Sequence, residues 1–298
     1  MANGFPSDVF VLDSGGVLLA RFARSGKNVR IESVRHYAFA EPAFAGGPVS
    51  PTLDRPEVLS ETLRRARRDA GRLERASLLV PDSWFRLNII DLPNGSSRAT
   101  PDIELVRWAV KRTLPVRPEE MRFAWTPLQK TPGGTQVLSV GILETTVAGI
   151  EAAFREAGVT VMLIEPIGLN VWNALATRAT DALAERLFFR FAEGEFTTGL
   201  FRGPIPLFLR SRNLSEVRTL EQEIALSASY LKSRLEWNTP AECWVSGNRV
   251  AAATLETIES EFGAPVRSAR LDDVVESGTE ETSRWESELL GCTGVFTA

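Results

Sequence analysis

The sequence predicts an α/β fold made of two similar lobes, with a small α+β subdomain inserted in the first lobe. Three consecutive strands joined by tight turns, then a helix, a strand and a further helix, occur twice along the chain. Only the first copy carries an extra strand–helix–strand module, roughly residues 77–130. This order is neither a simple strand–helix alternation nor a barrel pattern. We therefore expect a first lobe at 1–176, a second lobe at 177–298, and a cleft between them.

The first lobe opens with three short strands. Ser14–Gly16 and Ser25–Asn28 have the composition of tight turns, and the third strand alternates apolar and polar residues as a half-exposed strand does. Residues 40–56 are rich in Pro, Gly and Ala and predict a loop, and Gly71 ends the helix that follows. The elements predicted here are the strands Val9–Asp13, Val17–Phe22 and Val29–Val34 and the helix Glu57–Ala70.

The rest of the first lobe contains the inserted module. Its helix, Asp102–Thr113, is amphipathic because Ile103, Val106 and Val110 share one face. Pro166 suits the first turn of the last helix of the lobe. The other elements predicted are the strands Ser77–Pro81, Trp84–Leu92, Arg122–Pro127, Gln136–Leu143 and Val159–Ile164, and the helix Thr145–Ala157.

The second half repeats the opening order of elements. Turns at Ala192–Gly194 and Gly203–Pro204 separate three strands, and a long helix follows at about 217–236. The elements predicted are the strands Leu187–Phe191, Phe196–Phe201, Ile205–Arg210 and Glu242–Ser246, the long helix, and a helix through Leu255, Ile258 and Phe262.

Composition narrows the class of protein. A formal net charge of -4 gives no overall electrostatic reason to expect nucleic acid. Two cysteines, Cys243 and Cys292, are too few for a disulfide framework and lack a metal-binding spacing. No apolar run approaches the roughly 18 residues that span a bilayer, and the first residues do not have the pattern of a signal peptide. We expect a cytoplasmic protein that reaches a membrane only through a partner.

Short motifs in a fixed order resemble PilM-like proteins over about residues 8–262. The matching segments are Leu79–Ser83 leading to Leu92–Pro93, a helix leading to Leu114–Pro115, Phe154–Val159, and Ile164–Pro166 leading to Asn173–Leu175. The resemblance implies the actin-like fold shared with FtsA, with ribonuclease H-like lobes and the inserted subdomain. It also implies a cytoplasmic component of a type IV pilus machine that binds the N-terminal tail of the inner-membrane protein PilN, in a groove beside that subdomain. The cytoplasmic part of GspL in type II secretion is similar.

An actin-like fold implies a nucleotide site between the lobes, and the first hairpin retains its residue types. Asp13, Ser14 and Gly15 lie where that hairpin would approach phosphates, since glycine lets the backbone come close and a carboxylate suits Mg²⁺. The alternative is that Asp-Ser-Gly-Gly is ordinary turn chemistry.

The other two nucleotide elements depart from the pattern. The Asp-x-Gly of the second hairpin falls on Arg190-Phe191-Ala192, and Phe196 replaces a small polar residue. The Gly-Gly pair that would face the base is represented by Ser246 and Gly247, followed by Asn248. A cation at position 190 would not hold Mg²⁺. We therefore expect a degenerate site and no cofactor, with ATP and Mg²⁺ as the alternative.

The strand at Trp84–Leu92 supplies candidate partner-binding residues. Trp84, Arg86 and Asn88 fall on one side of it by alternation. If the strand borders the groove, these side chains would contact an extended peptide. The alternative is that this side packs on the helix of the inserted subdomain.

The sequence thus predicts a scaffold and not an enzyme, with no catalytic residues, no metal site and no direct membrane insertion. The competing hypothesis is an actin-like ATPase, weak or regulatory, whose nucleotide state gates partner binding. A third is a filament-forming or cell-division protein resembling FtsA, but Trp285–Ala298 lacks the basic face of a membrane-binding helix. A ring of identical copies is a further expectation.

Overall fold

The computed structural model describes residues 5–25, 28–46, 51–93, 103–114, 116–177, 181, 183–192, 194–214, 219–234, 239–247, 250–275 and 280–297. The strands are β1 (Asp8–Leu12), β2 (Gly16–Ser25), β3 (Asn28–Ala38), β4 (Phe44–Ala45), β5 (Thr52–Leu53), β6 (Arg75–Val80), β7 (Phe85–Pro93), β8 (Met121–Thr131), β9 (Gly134–Leu143), β10 (Thr160–Pro166), β11 (Glu185–Ala192), β12 (Glu195–Arg202), β13 (Ile205–Asn213), β14 (Glu242–Gly247) and β15 (Val266–Ser268). The helices are α1 (Pro56–Ala70), α2 (Ile103–Val110), α3 (Glu144–Glu156), α4 (Ile167–Ala176), α5 (Leu220–Arg234), α6 (Ala252–Phe262), α7 (Glu280–Arg284) and α8 (Glu286–Gly294).

Two five-stranded sheets have the same topology. The first has the order β10-β6-β1-β2-β3 and the second has the order β13-β12-β11-β14-β15, which is the same arrangement viewed from the other edge. In each sheet the first three strands pair antiparallel, and the two later strands pair parallel to the first. The predicted duplication is confirmed, because the same chain order produces the same pairing twice.

The outer face of each sheet is covered by its own pair of helices. In the first lobe, Leu63 of α1 and Phe154 of α3 pack against Phe10, whose ring meets that of Phe154 edge to face at 5.2 Å. In the second lobe, Leu231 of α5 and Phe262 of α6 pack on the outer face in the same way. The strands β1 and β11 are buried on both faces over most of their length, as central strands between two layers of helices are.

The inner faces of the two sheets share one core. Trp172 of α4 stacks on Phe201 of the second sheet with ring centroids 4.0 Å apart, and Leu289 of α8 packs in the same cluster as Val11 of the first sheet. The two helices approach so closely that a Cβ at Gly294 would lie 1.8 Å from the carbonyl oxygen of Asn170. The lobes are therefore joined by a continuous apolar layer. The boundary between residues 176 and 177 stays a prediction.

The inserted subdomain is a three-stranded antiparallel sheet with the order β7-β9-β8, and Val106 of α2 packs on it. Its extent differs from the expected 77–130. Residues 77–80 lie in β6, which pairs with β1 in the first-lobe sheet, and β9 belongs to the insertion. Sequence periodicity placed two consecutive strands together, but the buried β6 is covered on both faces and so belongs to the larger sheet.

Candidate functional site

The first hairpin of the cleft is closed by its own carboxylate. Oδ1 of Asp13 accepts hydrogen bonds from the backbone N–H groups of Gly15 at 2.7 Å and Gly16 at 2.8 Å. Gly16 is needed here because a Cβ would lie 2.5 Å from the carbonyl oxygen of Tyr37. The Asp-Ser-Gly-Gly segment therefore forms a turn whose backbone N–H groups are hydrogen-bonded by its own Asp13 side chain. The two amides that a phosphate would need already have an acceptor.

A buried cluster of charges connects the second hairpin to the first lobe. The Arg190 side chain on β11, 4% exposed, donates from Nη1 to Oε1 of Glu195 on β12 at 2.8 Å. The same nitrogen lies 3.8 Å from Oδ2 of Asp82, which is fully buried in the first lobe. The other Glu195 oxygen, Oε2, accepts the backbone N–H of Ser83 at 2.8 Å. Asp82, Arg190 and Glu195, which we call the interlobe latch, thus join the two lobes.

Asp82 also accepts hydrogen bonds from uncharged donors, one in each lobe. Its Oδ1 accepts the N–H of Gly168 in the first turn of α4 at 2.7 Å, and Oδ2 accepts Oγ1–H of Thr197 on β12 at 2.8 Å. A Cβ at Gly168 would lie 2.2 Å from Oδ2, so a glycine is required for this approach. Burial and the nearby Glu195 raise the pKa of Asp82 to about 6, although Arg190 opposes the shift.

The third predicted nucleotide element, Ser246 and Gly247, contacts other parts of the protein. Ser246 Oγ at the end of β14 lies 3.0 Å from Ser287 Oγ on α8. Gly247 has φ 156° and a Cβ there would lie 2.6 Å from the carbonyl oxygen of Phe191, so its glycine allows β11 and β14 to pack closely. Asn248, the other residue of this predicted element, lies outside the described residues.

One sequence-based placement in the cleft, that of Phe196, is corrected. Phe196 does not line the cleft: it lies on the outer face of the second sheet, with its ring 6.0 Å from that of Phe189. Its neighbour Thr197 faces the first lobe instead, because adjacent residues of a strand point to opposite faces.

Among the described residues, no group of three or more His, Cys, Asp or Glu side chains is placed to hold a metal ion. These residues do not fit a magnesium-bound phosphate, since a cation and a neutral hydroxyl occupy the inner wall.

A groove of about 540 Å³ lies between β7 of the inserted subdomain and β13 of the second lobe. One wall contains Arg86 and Asn88, and the other contains Leu209 to Asn213 of the edge strand β13. The end of α2 contributes Arg112, Thr113 and Leu114 to the rim. The interlobe latch lies directly beneath the groove. Ser83 lines the groove, and its backbone N–H donates to Oε2 of Glu195. On the other wall, Oγ of Ser211 lies 3.2 Å from Oγ1 of Thr197.

Of the three predicted partner-binding residues, the structure brings two to this groove. Arg86 and Asn88 are partly exposed and line it. Trp84 does not share their side, because Asp82–Trp84 is a single 3₁₀ turn and the strand begins only at Phe85. Its indole is buried against Phe44, with ring centroids 5.0 Å apart, and so belongs to the first-lobe core.

Several residues of the site were missed by sequence reasoning. Asp82 falls within the family-like segment Leu79–Ser83, and nothing in the sequence links it to Glu195. Arg210 ends the predicted strand Ile205–Arg210, and the sequence pattern gives no separate role to Arg212. A buried Asp directly after an apolar strand was the one local signal, since unpaired carboxylates are rarely buried.

Comparison with solved structures identifies the fold. A chain of the PilM–PilN type IV pilus biogenesis complex matches with a TM-score of 0.79 and 16% identity, over 96% of each chain. The cytoplasmic domain of EpsL, an inner-membrane component of the type II secretion system of Vibrio cholerae, matches with a TM-score of 0.59 and 12% identity, over 98% of this chain and 94% of that one. A Bacteroides thetaiotaomicron protein of actin-like ATPase fold and unknown function matches with a TM-score of 0.57 and 10% identity, over 98% and 95%.

No protein-family model matches the chain, and no curated protein matches it. At these levels of identity, the structural likeness shows the fold. The chain therefore has an actin-like α/β fold with two duplicated lobes, and it resembles one chain of the solved PilM–PilN complex over almost its whole length.

Proposed function

We propose that this protein is a scaffold of a type IV pilus or related secretion machine, and that it binds the N-terminal tail of a PilN-like inner-membrane protein. In this proposal it works in the cytoplasm, at the inner face of the inner membrane. None of the described helices is long and apolar enough to cross a membrane. The partner would therefore supply the attachment.

The interlobe latch is the observation that carries the scaffold proposal. A nucleotide-dependent actin-like protein needs amides free to bind phosphate and carboxylates free to position a metal. Here Asp13 occupies the amides of its own hairpin, and Arg190 pairs with Glu195 and Asp82 across the lobes. Opening the cleft for a nucleotide would leave these buried charges without partners, which is costly. We infer a degenerate cleft that serves as a structural joint.

The groove between β7 and β13 is the proposed peptide site. Its walls belong to different lobes, and the latch beneath them keeps Ser83 and Ser211 at a defined separation. A rigid groove binds an extended tail with a smaller entropic cost than a mobile one. The PilM–PilN complex supports this choice of partner, since a chain of that complex matches with a TM-score of 0.79, against 0.59 and 0.57 for the other two structures described above.

Calorimetric titration of the purified protein tests both parts of the proposal. The protein is titrated with Mg-ATP and, separately, with a synthetic peptide of the candidate PilN-like N-terminal tail. We expect heat from the tail and none from Mg-ATP, and we expect Arg212→Glu in the groove to abolish the tail signal. Arg72→Glu, on an exposed side chain outside the groove, is the matched control. Micromolar binding of ATP would refute the degenerate cleft and restore the ATPase hypothesis.

A further inference from the structure

The groove between β7 and β13 has a strongly one-sided charge. Four of its lining residues are arginines, Arg86, Arg112, Arg210 and Arg212, and none of its lining residues is acidic. The chain as a whole carries a formal net charge of -4. A concave site lined by one sign of charge attracts ligands of the opposite sign, because its low-dielectric walls concentrate the field.

The positive charge of the groove is only partly compensated within the protein. Arg210 pairs with Glu223 of α5 and donates to Ser227 at 3.0 Å, so it is largely committed to the second lobe. Arg112 and Arg212 are exposed and form no ion pair with a described carboxylate. Arg86 donates to the carbonyl oxygens of Ser83 and Phe85, which fixes its guanidinium at the wall.

Arg86 and Arg212 lie close enough to repel one another. Burial lowers the pKa of the Arg86 guanidinium, and the positive charge of Arg212 lowers it further. Two cations held on facing walls are destabilising alone and become favourable when an anion lies between them.

The backbone of the groove suits an extended chain. Among the described residues, β7 pairs only with β9 and β13 pairs only with β12, so each presents an unpaired edge. Of the lining leucines, Leu87 and Leu209 pack against the cores of the lobes, which holds both strands in place, and Leu114 contributes apolar surface at the rim. An extended peptide can pair with a strand edge by its backbone while its alternate side chains enter the pockets.

We propose that this groove binds an extended peptide segment that bears carboxylate side chains, with Arg86, Arg112 and Arg212 as their charge partners. This inference rests on the proposed function, which makes the groove the partner site, and it specifies the chemistry of that partner. A protein ligand is favoured over nucleic acid because the groove combines the cations with two unpaired strand edges among the described residues. Stacking aromatic side chains, which single-stranded nucleic acid would use, are limited there to Phe85, which is buried.

Fluorescence anisotropy with defined probes tests the inference. The probe is a short fluorescein-labelled peptide of alternating threonine and glutamate. Its counterparts have glutamine or lysine in place of glutamate, and a labelled single-stranded DNA of similar length is the fourth ligand. The proteins are the wild type, the groove variant Arg112→Gln/Arg212→Gln, and the control Arg68→Gln/Arg72→Gln, which removes the same charge from exposed side chains outside the groove.

We expect the glutamate peptide alone to bind the wild type, with an affinity that falls as salt rises. The groove variant should bind it about fivefold to tenfold more weakly, and the control should differ by less than twofold. The charge-reversal variant Arg112→Glu/Arg212→Glu should instead prefer the lysine peptide. Both substituted side chains are exposed, and an unchanged thermal midpoint will show that the variants are folded.

Equal binding of the glutamine peptide, or no effect of the groove variant, would overturn the inference. Tighter binding of the DNA would also overturn it, in favour of a nucleic-acid groove. The PilN-like tail peptide is measured in parallel to separate the two proposals. If the tail peptide binds and the arginine variants do not weaken its binding, the proposal of a carboxylate-bearing ligand is refuted, whereas the proposal of a PilN-like partner is retained. If only the glutamate peptide binds, the groove chemistry stands and the PilN-like partner fails.

Discussion

Replacing Arg190 with methionine should destabilise the protein strongly, because it removes the only cation of the interlobe latch among the described residues. The Arg190 nitrogen lies 2.8 Å from Glu195 and 3.8 Å from Asp82. At an effective dielectric constant of about 20, these distances correspond to gross attractions of about 6 and about 4 kcal/mol. Desolvation of the three groups and repulsion between the two carboxylates offset most of that energy in the wild type.

The decrease in the free energy of unfolding of the Arg190→Met variant depends on the buried carboxylates that remain. Two carboxylates remain buried without a counter-charge, and breaking a buried pair in this way costs about 3 to 5 kcal/mol. The expected decrease in thermal midpoint is on the order of 10 °C at pH 7.5. The deficit should shrink as the pH falls, because loss of the cation raises the pKa of Asp82 further above its value of about 6, and protonation then relieves the buried charge.

Differential scanning fluorimetry at pH 5.0 and pH 7.5 measures both effects. Arg267→Met is the matched control, since Arg267 pairs with Asp273 at 3.2 Å on the surface and its removal should cost less than about 1 kcal/mol. If Arg190→Met costs no more than this control, the latch is not a stabilising joint and the reasoning about the closed cleft fails. A deficit that is the same at both pH values would contradict the role assigned to Asp82.

Three further predictions concern buried positions. Asp82→Asn should flatten the pH dependence of the thermal midpoint: the raised pKa of Asp82 stabilises the folded state below about pH 4 and this stability is lost as pH rises through about 6, so the loss relative to wild type is greatest near pH 4, smaller at pH 5 and smallest at pH 7.5. Gly294→Ala should lower the free energy of unfolding in urea by about 1 to 3 kcal/mol, because its Cβ would overlap the Asn170 carbonyl, whereas Gly133→Ala, in open space, should be neutral. Cys243 and Cys292 should react with a thiol reagent only in denaturant, since burial raises the pKa of Cys243 to about 12 and that of Cys292 still higher.

Local patterns predicted most of the secondary structure correctly. The apolar run Val9–Leu12, the turn at Ser14–Gly16 and the alternating third strand depend on neighbouring residues, and the structure has β1, β2 and β3 there. The same holds for the stripe Ile224, Ala228 and Leu231 of α5, which is buried on the second sheet. The spacing of apolar residues and the residue types at turns are properties of short segments, so they predict local structure without knowledge of the fold.

Contacts between distant segments were the part that sequence reasoning missed. Ser83 and Glu195 are 112 residues apart, and nothing near either residue indicates the other. Alternation also misplaced Trp84, because a single 3₁₀ turn before β7 shifts it by one face into the core. The groove arginines were overlooked for a similar reason, since their shared wall exists only once two lobes and an insertion meet.

The sequence by itself therefore determined the duplicated lobes and the presence of an insertion, which follow from periodicity and turn residues acting over a few positions. The resemblance to PilM-like proteins implied that Arg190 replaces an acidic residue. The tertiary structure alone decided that Arg190 is paired across the lobes, that Asp13 satisfies its own turn, and that Arg86 faces Arg212 across a groove. Charge pairing depends on distances of a few ångströms between segments far apart in the chain, and only packing sets those distances.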